Sequence, residues 1–371
     1  MSGIKTETST IALAGFAGLL LCALGLGSFV SPEAALCWAL VSTLIWMLVW
    51  QQTHSRLQGN RADASSPLFS DLGWANRMTI GRGWLIAATG GFLAIPDALP
   101  EQPILVWIAA AAYSIAAIFD RLDGFVARKT QRGSLLGAEL DTVFDALGLI
   151  VAPLLALQLG KIHWSYLLVS VAYYLFMLGI QYRKRSNKAV YPLASSKLRR
   201  TLAGFQMAYV AVVLWPPFQA EVTVLSGFGF MLPLLAGFLV DWFVVSGRIN
   251  PYDIKTAHLF GRIQLIVDTV LLPALRLLML PAVYYIAAHS QWNVISLLIA
   301  GLAMLMIVPG LAGRAGAMAL MMLLAWTVPA PITESVMLLV LFSAIAIVLL
   351  GCGRFSLWQA DDDWVNRQDG A

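Results

Sequence analysis

Charge is scarce in this chain. Asp, Glu, Lys and Arg make up 12% of its 371 residues and hydrophobic residues 59%, whereas a typical soluble domain carries roughly 25% charged residues. With a mean hydropathy of +0.77, the shortage excludes a soluble globular domain and points to a polytopic helical membrane protein. Cysteine is rare too. Cys22, Cys37 and Cys352 lie in apolar runs without metal-ligand spacing, so neither a disulfide framework nor a zinc site is indicated. Each is expected to be a small buried hydrophobe. There is no clear internal repeat and no low-complexity tract. The formal charge of +4 is modest, and its meaning lies in where the cations fall.

Apolar runs long enough to cross a bilayer recur along the chain. The expected spans are 10–30, 34–50, 78–95, 104–122, 136–158, 163–181, 200–216, 224–246, 264–288, 293–311, 315–331 and 333–352. Lys5 ahead of the first run has the look of a signal peptide, but the second run follows almost at once, so a retained first span is expected. With the N-terminus in the cytoplasm, Arg56, Arg61, Arg77, Arg82, Arg128, Lys129, Arg132, the 183–188 cluster and Arg248 all fall on the cytoplasmic side. The opposite loops hold Glu33, Asp97, Glu101, Glu221 and Glu334 with almost no Lys or Arg beyond Lys161. The asymmetry agrees with the positive-inside rule. The 264–288 run contains Asp268 and Arg276. Eight residues apart, they would share a helical face and pair with each other or with the bundle; the other reading is a surface-lying helix from Pro251 to Arg276.

The fold class is all-α, a polytopic membrane helical bundle. The polar stretch 51–70 and the Gly- and Pro-containing stretch 246–255 mark joints. The expected organisation is two N-terminal transmembrane helices (1–52), a polar cytoplasmic linker (53–74), a core of six helices (75–247), a C-terminal accessory transmembrane bundle (248–355) and a solvated acidic tail (356–371).

One hairpin dominates the chemistry. The stretch FDRLDGFVARKTQRGSLLGAELDTVFD places Asp120, Asp123, Gly124, Ala127 and Arg128 on one face of a helix as it leaves the membrane, and Gly137, Asp141 and Asp145 in a stripe on the next. Ser134 is a fair N-cap for the second helix. Intramembrane carboxylates are costly and mark functional sites by default, and four together repel each other unless something cationic compensates. A divalent metal is the natural candidate, because hard cations take oxygen ligands and share them with phosphate. Arg128 beside such a cluster suits a metal-bound diphosphate. The plainer reading, a charge-paired helix cap with Arg121 and Arg128 neutralising Asp120 and Asp123, leaves Asp141 and Asp145 without a cation nearby in sequence.

The spacing Asp-x2-Asp-Gly-x2-Ala-Arg-x8-Gly-x3-Asp-x3-Asp resembles the signature of the CDP-alcohol phosphatidyltransferases, with Asp120, Asp123, Gly124, Ala127, Arg128, Gly137, Asp141 and Asp145 in the motif places. The resemblance implies a six-helix membrane enzyme of phospholipid synthesis within the 75–247 core. Such an enzyme transfers a phosphatidyl group from a CDP-linked donor, CDP-diacylglycerol above all, to a hydroxyl acceptor with release of CMP. It also implies that Asp120, Asp123, Asp141 and Asp145 hold Mg2+ or Mn2+, two ions by expectation, and that Asp145 is the general base. Gly124, Ala127 and Gly137 would let the cytidine approach, and Arg128 would contact the diphosphate. Upstream, Asn76, Thr79 and Arg82 (NRMTIGR) resemble the family's Asn-x2-Thr-x2-Arg element, which implies nucleotide and phosphate contacts. The plainer reading of these three is helix capping and positive-inside anchoring.

The acceptor side is less defined. Ser195 to Thr201 open a helix with Lys197, Arg199 and Arg200, cations that run against the macrodipole. They suit either anionic headgroups, at about 1 kcal/mol per residue, or a phosphorylated acceptor such as glycerol 3-phosphate or inositol phosphate, as in phosphate-acceptor members of the family. Asp241 would face that pocket or pair with Arg248. GCGRFSLW at 351–358 weakly resembles the end of DoxX-like membrane proteins. Two alternatives stay open: an aminoalcohol phosphotransferase using CDP-choline or CDP-ethanolamine with diacylglycerol, and a non-enzymatic scaffold or cation carrier. A carrier would spread buried charge over separated helices, whereas these acids cluster at one membrane face. The expected partners are the CDP-linked donor, a small hydroxyl acceptor, membrane lipids and a second copy of the chain as a homodimer, with no nucleic acid. The expected location is a bacterial inner membrane, active site to the cytoplasm.

Overall fold

Each apolar run becomes a helix in the computed structural model, which describes residues 2–193, 196–250, 253–327 and 335–358. In chain order the helices are α1 (Ser2–Phe29), α2 (Pro32–Ser55), α3 (Gly73–Gly91), α4 (Ala98–Glu101), α5 (Pro103–Lys129), α6 (Leu135–Gln158), α7 (Leu167–Arg185), α8 (Lys197–Val213), α9 (Ala220–Val245), α10 (Ile254–Ile266), α11 (Leu272–His289), α12 (Val294–Ile307), α13 (Gly313–Thr327) and α14 (Ser335–Leu350). No strand occurs among the described residues. Seven helical stretches among them are long and apolar enough to cross a membrane: Gly3–Phe29, Pro32–Ser55, Pro103–Lys129, Leu135–Gln158, Trp164–Arg185, Ala220–Val245 and His258–His289. Thr201–Val213, Val294–Ile307 and Ser335–Leu350 are apolar but shorter.

Local chemistry sets the helix ends. Ser31 accepts the N–H of Ala34 at 3.1 Å, and Pro32 follows in the first turn of α2, where its missing N–H costs nothing. Ser134 caps α6 by accepting the N–H of Gly137 at 3.0 Å, as the sequence suggested. Arg128 and Lys129 close α5, and Arg183, Lys184 and Arg185 close α7, where cations favour the carbonyl end of the helix.

The chain forms two compact units. The first comprises residues up to Gly160 and returns for Met207–Pro216. Its centre is α3, nearly all of whose inner residues are buried although they include Asn76, Thr79, Arg82 and Thr89. Glycines bring α2 close: a Cβ on Gly83 would meet Val49 at 2.7 Å, and one on Gly91 would meet Trp38 at 2.6 Å. Small residues at helix contacts are how membrane helices gain packing energy when the lipid is as apolar as the core. Two tryptophans tie α1 to the same group. Trp46 donates to the Ala12 carbonyl and Trp84 to the Gly15 carbonyl, both at 3.0 Å.

The second unit comprises, among the described residues, stretches of 161–206 and 217–358. There α10 and α11 run as one helix through a π-turn at Val267–Leu271. Asp268 lies within that turn, and among the described residues no ion pair joins it to Arg276. Arg276 is buried and donates instead to carbonyls of Ile307 at 2.9 Å and Cys352 at 2.8 Å, and also to Val308. The continuous stretch His258–His289 is long and apolar enough to cross a membrane.

One expectation is corrected. Cys352 is buried, but Cys22 and Cys37 are exposed, beside outward-facing Leu20, Leu21 and Leu36. Lipid exerts no hydrophobic drive to bury an apolar side chain.

Candidate active site

The α5–α6 hairpin turns through Gln131, at φ 52°. Across it, Asp120 of α5 and Asp141 and Asp145 of α6 bring carboxylate oxygens within 4.8 Å of one another. The cation that the sequence did not supply nearby is Arg82, on α3. Its side chain is 0% exposed. It pairs with Asp120, reaches Oδ1 of Asp141 at 3.0 Å and Oδ1 of Asp145 at 3.2 Å, and donates to the backbone oxygen of Asp141 at 3.0 Å. A guanidinium offers donors in a planar fork that suits several carboxylates at once. Oδ1 of Asp141 and of Asp145 is within ion-pair reach but not aligned for a hydrogen bond.

Asp123 stands apart from this trio. It is 7% exposed, and its Oδ2 accepts from the Thr79 hydroxyl at 2.7 Å. Beside it is a cavity of about 350 Å³ lined by Asn76, Thr79, Asp123, Gly124, Ala127, Arg128, Gly137 and Asp141. The structure thus gathers most of the motif residues around one opening. Asp120 and Asp145 adjoin the cavity through Asp141, and Arg82 lies behind the carboxylates rather than in the lining.

The residues fit a hard divalent ion. The donor set is entirely carboxylate oxygen, on side chains that keep 25%, 47% and 37% of their surface open for Asp120, Asp141 and Asp145, and two oxygens lack hydrogen bonds. This is the chemistry that magnesium or manganese selects.

The polar segment before α3, expected as a linker, bonds directly to the site residues. Asn60, 0% exposed, accepts from Asn76 Nδ2 at 3.0 Å and donates to the Asp71 carbonyl at 2.9 Å. The segment also bonds to the start of α6, where the N–H of Leu135 donates to the Arg61 carbonyl at 2.9 Å. Arg132, from the hairpin turn, donates to Asp71 Oδ1 at 3.0 Å. That bond chiefly holds the Asp71 carboxyl below its ordinary range. Asp63 accepts from the hydroxyls and N–H groups of Ser65 and Ser66, first among them the Ser65 hydroxyl, and is lowered to about 2. Nothing but the polarity of the segment would have announced this collar from sequence.

The acceptor residues belong to the second unit. Arg199 pairs with Asp241 at 3.3 Å, while Arg248 stacks on Phe243 with its guanidinium 5.7 Å from the ring centre. Ser195 and the side chains of Lys197 and Arg200 lie outside the described residues.

Comparison with known proteins identifies a CDP-alcohol phosphatidyltransferase domain at residues 72–242, where the family model of that description matches. CDP-diacylglycerol–serine O-phosphatidyltransferases of Mycobacterium bovis and Mycobacterium tuberculosis are 38% identical over 78 residues, 21% of this chain and 26% of each relative. The chain therefore matches about a quarter of the length of these curated relatives. No solved structure matches it.

Proposed function

We propose that the CDP-alcohol phosphatidyltransferase domain at residues 72–242 makes this protein an integral membrane enzyme of phospholipid synthesis, which transfers a phosphatidyl group from CDP-diacylglycerol to a small hydroxyl acceptor and releases CMP. The observation that carries this reading is the meeting of Asp120, Asp141 and Asp145 on Arg82, beside a cavity lined by the remaining motif residues. A site made only for helix packing has no use for three clustered carboxylates next to an opening.

In this mechanism the nucleotide enters the cavity between α3 and the hairpin, with Gly124, Ala127 and Gly137 leaving room for its approach. Arg128, on the cavity wall, takes diphosphate oxygens in the bidentate manner of a guanidinium. Asp120, Asp141 and Asp145 would hold divalent metal, with Asp123 close by on the cavity wall; when bound, the metal neutralises phosphate oxygens and stabilises charge developing at phosphorus. Asp145 accepts the proton of the acceptor hydroxyl as its oxygen attacks the phosphatidyl phosphorus. The bond from that phosphorus to the bridging oxygen breaks, and CMP leaves with the bonding electrons. Arg82 holds the carboxylates in place.

For the acceptor, Arg199 is compensated by Asp241, so a phosphorylated alcohol would rely on Lys197 and Arg200. A serine acceptor takes its support from the names of the mycobacterial relatives. The positive-inside pattern supports an active site on the cytoplasmic face, and the bacterial relatives support an inner-membrane location. The test is an acceptor screen on the purified chain with CDP-diacylglycerol and Mg2+ or Mn2+, scored by lipid product against serine, glycerol 3-phosphate and inositol phosphate. Acceptor-dependent CMP release is expected with one of them. No release with any acceptor, nor from CDP-choline or CDP-ethanolamine with diacylglycerol, would remove the enzymatic reading.

A further inference from the structure

We propose that Asn60, in the polar segment between α2 and α3, is a specificity-determining positioning residue that locks the Asn76 amide so that it presents only a hydrogen-bond acceptor to the nucleotide cavity. The inference rests on the reading of that cavity as the site of a CDP-linked donor.

The orientation of both amides is forced by backbone carbonyls, which can only accept. Asn60 Nδ2 donates to the Asp71 carbonyl at 2.9 Å, so its Oδ1 is the atom that accepts from Asn76 Nδ2 at 3.0 Å. The other N–H of Asn76 donates to the Leu72 carbonyl at 2.8 Å. Both amide hydrogens of Asn76 are thereby committed away from any ligand. Its Oδ1 points at α6, where it would lie only 2.7 Å from a Cβ placed on Gly137. There it accepts the Ser134 hydroxyl at 3.1 Å, while Ser134 Oγ accepts the Gly137 N–H.

An amide oxygen has two lone pairs. Ser134 uses one, and the other is left for a ligand in the cavity that Asn76 lines. The ligand group that meets it must be a donor: the exocyclic amine of cytosine or a ribose hydroxyl. A carbonyl in place of the amine, as in uracil, would set acceptor against acceptor and leave a desolvated oxygen unsatisfied. Asn60 does not line the cavity. It acts through Asn76, and it is itself held by its backbone, which accepts from Phe69 at 2.8 Å and donates to Leu57 at 3.1 Å.

The test uses the full chain in detergent, with titration of CMP, UMP and 2′-deoxy-CMP and with kcat and KM for the CDP-linked donor. Asn60→Leu should weaken CMP binding on the order of tenfold, the loss of about one well-formed hydrogen bond, and raise donor KM more than it lowers kcat. The CMP-over-UMP ratio should fall toward one if the amine is the donor, or the CMP-over-2′-deoxy-CMP ratio if it is a ribose hydroxyl. Combined with Asn76→Leu, it should cost nothing further, because both act through one side chain. Asn60→Ser asks the same question if the leucine variant does not fold. Wild-type CMP affinity in the Asn60 variants, equal weakening toward all three nucleotides, or full additivity with Asn76→Leu would overturn the inference. A wild-type chain that binds no CMP overturns the nucleotide reading of the cavity, and this inference with it.

Discussion

Arg82 and Asp141 are joined twice: one guanidinium nitrogen lies 3.0 Å from a carboxylate oxygen and 3.0 Å from the backbone oxygen of the same residue. The pair ties α3 to α6 under the acidic hairpin, so the cation that makes three carboxylates tolerable arrives from another helix.

Replacing that cation should expose its role. Arg82→Leu leaves the trio uncompensated, at a cost below the roughly 3–5 kcal/mol of breaking a fully buried pair, because the carboxylates are 25–47% exposed. The variant should melt well below the wild type, and Mn2+ should raise its melting temperature more than it raises that of the wild type. Equal metal response in the two proteins would argue against a shared site for Arg82 and the metal.

Asp145→Asn should lower CMP release on the order of a thousandfold, the scale of a lost general base, while CMP binding persists. Single-turnover CMP release and equilibrium binding separate the two effects, and full turnover by the variant would remove Asp145 as base.

Exhaustive chelation should abolish CMP release, and added Mn2+ should restore it. Electron paramagnetic resonance should detect bound Mn2+ in the wild type and less in Asp141→Asn. Normal turnover after chelation would sink the metal scheme.

Gly137→Ala should weaken CMP binding, because its Cβ would meet Asn76 Oδ1 at 2.7 Å and Asn76 is held by three hydrogen bonds. Gly25→Ala, on α1 away from the cavity lining, whose Cβ meets nothing within 4 Å, should bind CMP within about twofold of the wild type, as substitutions without contacts usually do. Equal binding by both variants would show that the cavity does not depend on this close approach.

The Asp71–Arg132 bond makes a pH-dependent contribution. The Asp71 carboxyl is lowered from its ordinary 3.8, so its stabilisation is present in full above that value and is lost as pH falls through the lowered one. Both side chains are about one-third exposed, which keeps the effect small. Asp71→Asn should melt slightly below the wild type at neutral pH, and the gap should close below pH 3.8. A gap constant with pH would mean that the ion pair is not its source.

The helices and the hairpin chemistry were legible in sequence because both are local. Hydrophobic runs of bilayer length form helices wherever they lie, and Asp120 to Asp145 sit on two consecutive helices whose spacing sets their faces. The Ser134 cap was equally readable, since it acts three residues away. Asp268 and Arg276 left two readings open, a pair with each other or with the bundle, and packing chose the bundle, where Arg276 meets the backbone carbonyls of Ile307 and Cys352.

The apolar content and its interruptions determined by themselves that this chain is an all-helical membrane protein with one acidic hairpin. Tertiary structure alone decided what meets that hairpin. Arg82 lies 38 residues from Asp120, and Asn60 lies 16 from Asn76. Such partners are chosen by how helices pack, through close approaches such as Gly83 against Val49, and no local spacing encodes them. The same packing separated Asp123 from the other three carboxylates, because Thr79 on α3 offered it a hydroxyl that nothing in the hairpin could supply.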